Sequence, residues 1–121
     1  MVDDEADVNT VLREVLELNG FMVDSYEDPF LALDKYRPDF YDLLIFDIIM
    51  PGMNGFALYR EIKKLDENMK VCFLTAGEMQ DVAYSDIISS IPANCFIQKP
   101  VTNEELIKRI HTIIDESGSR V

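Results

Sequence analysis

The chain has no tryptophan, a single histidine, two cysteines and only five glycines in 121 residues. No apolar run approaches the roughly 20 residues that a membrane-spanning helix needs, so contact with a membrane is not expected. Positive charge is scarce: 11 Lys and Arg stand against 23 Asp and Glu, a formal charge of −12. A surface this acidic repels phosphate backbones, which argues against direct binding of nucleic acid. Cys72 and Cys95 lie inside apolar runs and not at a CxxC spacing, so they read as buried reduced thiols and not as a disulfide or metal site. His111 falls on the last helical stretch and reads as a solvated or rim residue with no phosphodonor or metal role. No segment is of low complexity, and the opening Asp3-Asp4-Glu5 is the opposite of a signal peptide. A single soluble cytoplasmic domain is expected.

What is present is alternation. Val8, Val11, Leu12, Val15 and Leu16 recur at helical spacing, predicting a helix from about Ala6 to Leu18 that Asn19-Gly20 ends. Phe21 to Tyr26 reads as a short strand. Asp28 and Pro29 start a second helix that runs to about Tyr36. Leu43 to Asp47 is a continuous apolar strand ending in one carboxylate, and Pro51-Gly52 and Asn54-Gly55 break the chain after it. A third helix, about Gly55 to Leu65, turns Phe56, Tyr59 and Ile62 inward. Lys70 to Thr75 is another apolar strand, Glu78 to Ser90 a fourth helix, and Cys95 to Gln98 a fifth strand that Lys99-Pro100 ends. Thr102 with Glu105 forms a capping box for the last helix, and residues 117–121 read as a tail or the start of a linker after a domain at 1–116. Helix and strand in turn, with short connections, imply a doubly wound α/β fold around a parallel sheet.

In such sheets ligands bind beyond the carboxyl ends of the strands. Asp3-Asp4, Asp47, Thr75 and Lys99 each fall at such an end. An anion at the mouth of an apolar strand is costly without a partner, although Asp47 taken alone could equally be the residue that starts a turn. Three carboxylates converging on one crevice invite a hard divalent cation, and ligation by few oxygens suits Mg²⁺. One carboxylate can then serve as a covalent phosphoryl acceptor, with a lysine and a hydroxyl to neutralise the transferred group.

The motifs Val2-Asp3-Asp4-Glu5, Asp47 followed by Met50-Pro51-Gly52-Met53-Asn54-Gly55, Phe73-Leu74-Thr75-Ala76 and Phe96-Ile97-Gln98-Lys99-Pro100 span nearly the whole chain. Together they resemble the receiver domain of response regulators, the phosphoacceptor half of two-component signalling. The resemblance implies a flavodoxin-like five-stranded sheet in the order 2-1-3-4-5. It implies that Asp47 accepts a phosphoryl group from a sensor histidine kinase or phosphotransfer protein. Asp4, Asp47 and the carbonyl of Ile49 would ligate Mg²⁺, with Asp3 acting through a water. Thr75 and Lys99 would meet the phosphoryl group, and Phe96 would be the switch aromatic, although its pattern alone reads as a core-facing ring. The Lys99-Pro100 bond is cis in many members. The fourth helix, fifth strand and last helix would form the output face toward a downstream effector protein or an output domain outside this sequence. Such a protein is not an enzyme beyond its own phosphoryl transfer and dephosphorylation.

The chain departs from the family at its first strand, where only Met1 and Val2 precede the acidic pair. A truncated first strand, a weakened sheet, and a homodimer or exchanged element to fill the gap are the expectations. Ile49, two residues past Asp47, would hinder the approach of water and slow loss of the phosphoryl group. A receiver-like interaction module that is never phosphorylated is the alternative. An aspartate-nucleophile phosphatase is disfavoured, because Ile49 stands where such an enzyme has a second Asp.

Overall fold

Three of the apolar runs become parallel strands: β1 (Leu44–Asp47), β2 (Val71–Thr75) and β3 (Phe96–Gln98). They pair in the order β1-β2-β3, with Phe46 opposite Phe73 and Phe73 opposite Phe96. This computed structural model describes residues 1–3, 5–75, 85–92, 95–99 and 102–116. Around the sheet lie α1 (Ala6–Leu18), α2 (Pro29–Asp34), α3 (Gly55–Leu65), α4 (Ser85–Ser90) and α5 (Asn103–Glu116). The expected fourth helix is thus described only in its last turns, and its start lies outside the described residues, as do Pro100 and the tail.

Successive strand residues point to opposite faces. One face of the sheet, with Leu44, Phe46, Val71 and Phe73, packs against Phe56, Leu58 and Ile62 of α3, Ala32 of α2 and Ile87 of α4. The other, with Ile45, Cys72, Leu74 and Ile97, packs against Leu16 of α1 and Leu106, Ile110 and Ile113 of α5. The result is three layers, helix on sheet on helix, which the unbroken apolar runs required.

The helix ends follow their sequence signals. Gly20 (φ 89°) lets α1 close with two backbone bonds, Gly20 N to Glu17 O at 3.1 Å and Phe21 N to Leu16 O at 3.1 Å. Asp28 accepts from Phe30 N at 2.9 Å, Asn54 from Ala57 N at 2.8 Å, and Thr102 from Glu105 N at 3.1 Å. Helix α2 stops at Asp34, short of the expected Tyr36, whose ring hydroxyl is instead used to bond Asp66.

The strand expected over Phe21–Tyr26 is reduced to one residue. Val2 bridges Tyr26 on one side and Phe46 on the other, both in parallel. Its amide donates to Ile45 O at 2.8 Å and its carbonyl accepts from Asp47 N at 2.9 Å, while Met1 O accepts from Tyr26 N at 2.9 Å and Asp3 N donates to Tyr26 O at 3.1 Å. Among the described residues the bridge at Val2 is the rung that ties this segment to the sheet.

Asp66, just past α3, secures the long connection from α2 to β1. It is buried and accepts from Tyr36 Oη at 3.0 Å and from the amide of Asp39 at 2.9 Å, and Asp39 itself holds the left-handed φ of 58°. The bond from the Asp39 amide, supported by Tyr36, holds the Asp66 carboxyl below its usual range despite its burial. A depressed folded-state pKa stabilises the fold above the unfolded value of about 3.9, and that stability is lost as pH falls through the lower folded value. Asp66→Asn is therefore expected to lower the thermal midpoint at neutral pH, and the gap to the parent should close below about pH 4 in a melting series across pH.

Candidate functional site

Each strand end contributes one polar side chain to the same edge of the sheet. Asp47 is the last residue of β1 and is 5% exposed, Thr75 is the last of β2 and is 4% exposed, and Lys99 directly follows β3. The backbone itself joins two of them, since Lys99 N donates to Thr75 O at 2.7 Å. Asp3 completes the group from beside Val2 and is entirely buried.

Lys99 reaches across to both acids. Its Nζ lies 3.1 Å from Asp47 Oδ1 and 3.8 Å from Asp3 Oδ2. Burial works against the lysine charge, but the bond to Asp47 and the fields of Asp47, Asp3 and Glu5 outweigh it and raise its pKa. Asp3 is pushed up, first by burial and then by the neighbouring Asp47, against the bond it accepts from Glu5 N at 3.0 Å. Its other oxygen, Oδ2, is buried and accepts no hydrogen bond from the described residues. Two carboxylates sharing one ammonium leave an excess of negative charge at the strand ends.

Of the other residues singled out in sequence, Ile49 is 62% exposed on the loop after Asp47. Phe96 lies on the face of the sheet below, half-buried, with its ring stacked on Phe73 at 5.6 Å between centroids. Phe73 also meets Phe56 at 4.8 Å, so one aromatic column joins β3 to α3. Asp4 lies outside the described residues. Among the described residues no three His, Cys, Asp or Glu side chains are grouped to hold a metal ion.

Two residues that shape the site were not identified from the sequence. Asn9 donates from Nδ2 to Asp3 O and to Tyr26 O, at 2.6 and 2.9 Å, and so braces the thin part of the sheet from α1. Its signal was a polar residue in register with the apolar Leu12 and Leu16. Gly55 is packed against the backbone of Asp47: a Cβ there would overlap Asp47 O and stand 3.1 Å from Asp47 C. Its amide donates to Ile48 O at 2.8 Å, which locks the loop onto the start of α3. As a chain break, a helix start and the last residue of the motif after Asp47, Gly55 carries no sign of this approach in the sequence.

The profile of the response regulator receiver domain matches residues 1–111. The chain belongs to this family. Receiver domains of this kind are signalling modules of two-component systems and generally bind Mg²⁺ at their phosphorylation site. The chain is 35% identical to the transcriptional regulatory protein CpxR homolog of Haemophilus influenzae, over 98% of its own length and 51% of that protein. It is 31% identical to the transcriptional regulatory protein RprY of Bacteroides fragilis, over 94% of its length and 48% of that protein. The receiver domain thus spans about half the length of these curated relatives. Among solved structures, it superposes on the non-phosphorylated HemR receiver domain of Leptospira biflexa with a TM-score of 0.82 at 29% identity, covering 99% of this chain and 94% of that one. A response regulator receiver domain protein of Clostridium thermocellum gives 0.78 at 26% identity, over 96% and 92% of the two chains.

Replacement of Gly55 tests how closely the receiver domain's loop is fitted to Asp47. Alanine normally favours a helix over glycine by about 1 kcal/mol. Here Gly55→Ala is expected to destabilise the fold by about 1–3 kcal/mol in chemical denaturation, because the methyl group must displace the Asp47 carbonyl.

Proposed function

We propose that this receiver domain is a phosphorylation-activated switch that takes a phosphoryl group onto Asp47 from a histidine kinase in a Mg²⁺-dependent reaction. The observation that carries this reading is the position of Asp47: a buried carboxylate at a strand end, 3.1 Å from the ammonium of Lys99 and beside the buried Asp3. A carboxylate oxygen of Asp47 attacks phosphorus, the bond from phosphorus to the donor's imidazole nitrogen breaks, and the imidazole leaves. Lys99 pairs with the charge that builds on the phosphoryl oxygens, and the Thr75 hydroxyl donates to one of them.

The residues present suit the cation. Asp3 Oδ2 is a buried acceptor lacking a hydrogen bond from the described residues, and the two carboxylates exceed the charge of the one lysine that they share. Asp47, the carbonyl of Ile49 and Asp4 would hold Mg²⁺, with Asp3 acting through a water. The ion would supply further neutralisation of the transferred group. The sheet is then the five-stranded one of the family, in the order 2-1-3-4-5, with its first two strands thinned to the single rung at Val2. A second copy of the chain could complete that edge.

The output face is formed by α4, β3 and α5. Supporting it, Phe96 of β3 is bonded to α5 through its carbonyl, which accepts from Arg109 Nη2 at 3.2 Å. Phosphorylation adds about −1.5 to −2 charges at Asp47, and Thr75 and Lys99 are the groups placed to respond. Phe96, stacked on Phe73 earlier on the same two strands, carries the change outward to an effector or output domain.

Incubation with acetyl phosphate and Mg²⁺ is expected to add the mass of one phosphoryl group to the parent chain. Asp47→Asn, or omission of Mg²⁺, should abolish the gain; an unmodified parent chain would favour the interaction module that is never phosphorylated. The exposed, apolar Ile49 should also slow hydrolysis of the acyl phosphate, since it cannot orient a water. Ile49→Asn is expected to speed phosphate release from isolated phosphoprotein by about tenfold, equivalent to about 1.4 kcal/mol of barrier.

A further inference from the structure

The two cysteines do not belong to the phosphoacceptor site, and neither is in a disulfide. Phe73 pairs with Phe96 across β2 and β3, and Cys72 and Cys95 are the residues directly before them, Cys95 in the turn that leads into β3, where its amide donates to Pro92 O at 3.0 Å. Both side chains lie on the face of the sheet opposite the phenylalanines, in the cluster with Leu74 and Ile97. At the adjoining Phe73–Phe96 pair the strands of such a sheet run about 4.7–4.9 Å apart, and a disulfide spans about 4.4–6.8 Å between Cα atoms. Cys95 also lines a cavity of about 240 Å³, together with Tyr59, Lys70, Ile91 and Ile113, whereas Cys72 is wholly covered.

We propose that Cys72 and Cys95 form a dithiol that a small peroxide oxidises to a disulfide across β2 and β3. Cys95 reacts first, because the cavity gives a molecule of that size a way in. Its thiolate attacks one peroxide oxygen, the O–O bond breaks and hydroxide leaves, taking up the thiol proton as water. The sulfur of Cys72 then attacks the sulfenic sulfur of Cys95, the S–O bond breaks, and the departing hydroxide takes the Cys72 proton. Two thiols and one hydrogen peroxide become one disulfide and two waters, with both sulfurs oxidised and the peroxide oxygens reduced. Cys72 is wholly covered and out of reach of peroxide, so it serves as the resolving partner; burial, with the neighbouring Cys95, pushes its thiol up to about 12, which makes that second step the slow one. The bond would tie together the two strands that carry Thr75 and lead into Lys99, at the end away from Asp47.

The folded chain is treated with hydrogen peroxide, unfolded in the presence of an alkylating agent and weighed. The expected result is loss of two hydrogens, protection of both sulfurs from alkylation, a Cys72–Cys95 linked peptide, and return of both thiols on reduction. Cys72→Ser should stop at a sulfenic acid on Cys95 that dimedone traps, and Cys95→Ser should leave Cys72 unreacted. Two thiols still open to alkylation in the treated parent chain, stepwise over-oxidation of Cys95 without a bridge, or a disulfide between two chains would overturn the proposal.

Discussion

The arrangement depends on two buried carboxylates that share one ammonium. Asp3 and Asp47 are brought together by the sheet because Val2 pairs with Phe46, which fixes the two acids at the same edge. Lys99 relieves part of their repulsion at 3.1 and 3.8 Å, yet it cannot neutralise both. In a buried pair, desolvation offsets much of the Coulomb gain, so this cluster adds little to stability and must be carried by the core around it. The aromatic column of Phe56, Phe73 and Phe96 and the apolar layers on each face of the sheet provide that support.

Around Val2 the contacts are of two kinds. Val2 forms a rung on each side, and side chains brace the same segment. Asn9 spans from Asp3 O to Tyr26 O, so one amide fixes the register of the two segments. Asp24 is tied in the same way, accepting from Tyr41 Oη at 2.8 Å. Side-chain braces of this kind fix position without demanding a long strand, and they place Asp3 where its carboxylate faces Lys99.

Much of this was legible because the local signals and the global fold agree. Four apolar residues running into Asp47 could only be a strand covered on both faces, and α1 and α3 begin and end where periodicity, Asn54 and Gly20 say they should. The convergence of Asp3, Asp47 and Lys99 followed from the alternation alone, since parallel strands share one carboxyl edge. The failures have a common cause. The segment Phe21–Tyr26 has strand-like residues, but a strand is a property of a pair, and its partner is one residue long. Asn9 and Gly55 act through what they touch from a distance in sequence, which neither periodicity nor composition encodes.

The path from the site toward α5 is short and made of different kinds of contact. The Lys99 amide is bonded to the Thr75 carbonyl, so the backbone of β3 cannot shift at Lys99 without moving the end of β2. Three residues earlier, the Phe96 ring is stacked on Phe73 of β2 while its carbonyl accepts from Arg109 of α5. A packed ring changes position by exchanging one rotamer for another, because a dense core resists small continuous displacements. In the proposed switch, a pull on Thr75 and Lys99 would therefore be converted at Phe96 into a discrete change. Arg109 is held by the same residue, and so α5 is the element of the far layer placed to register it.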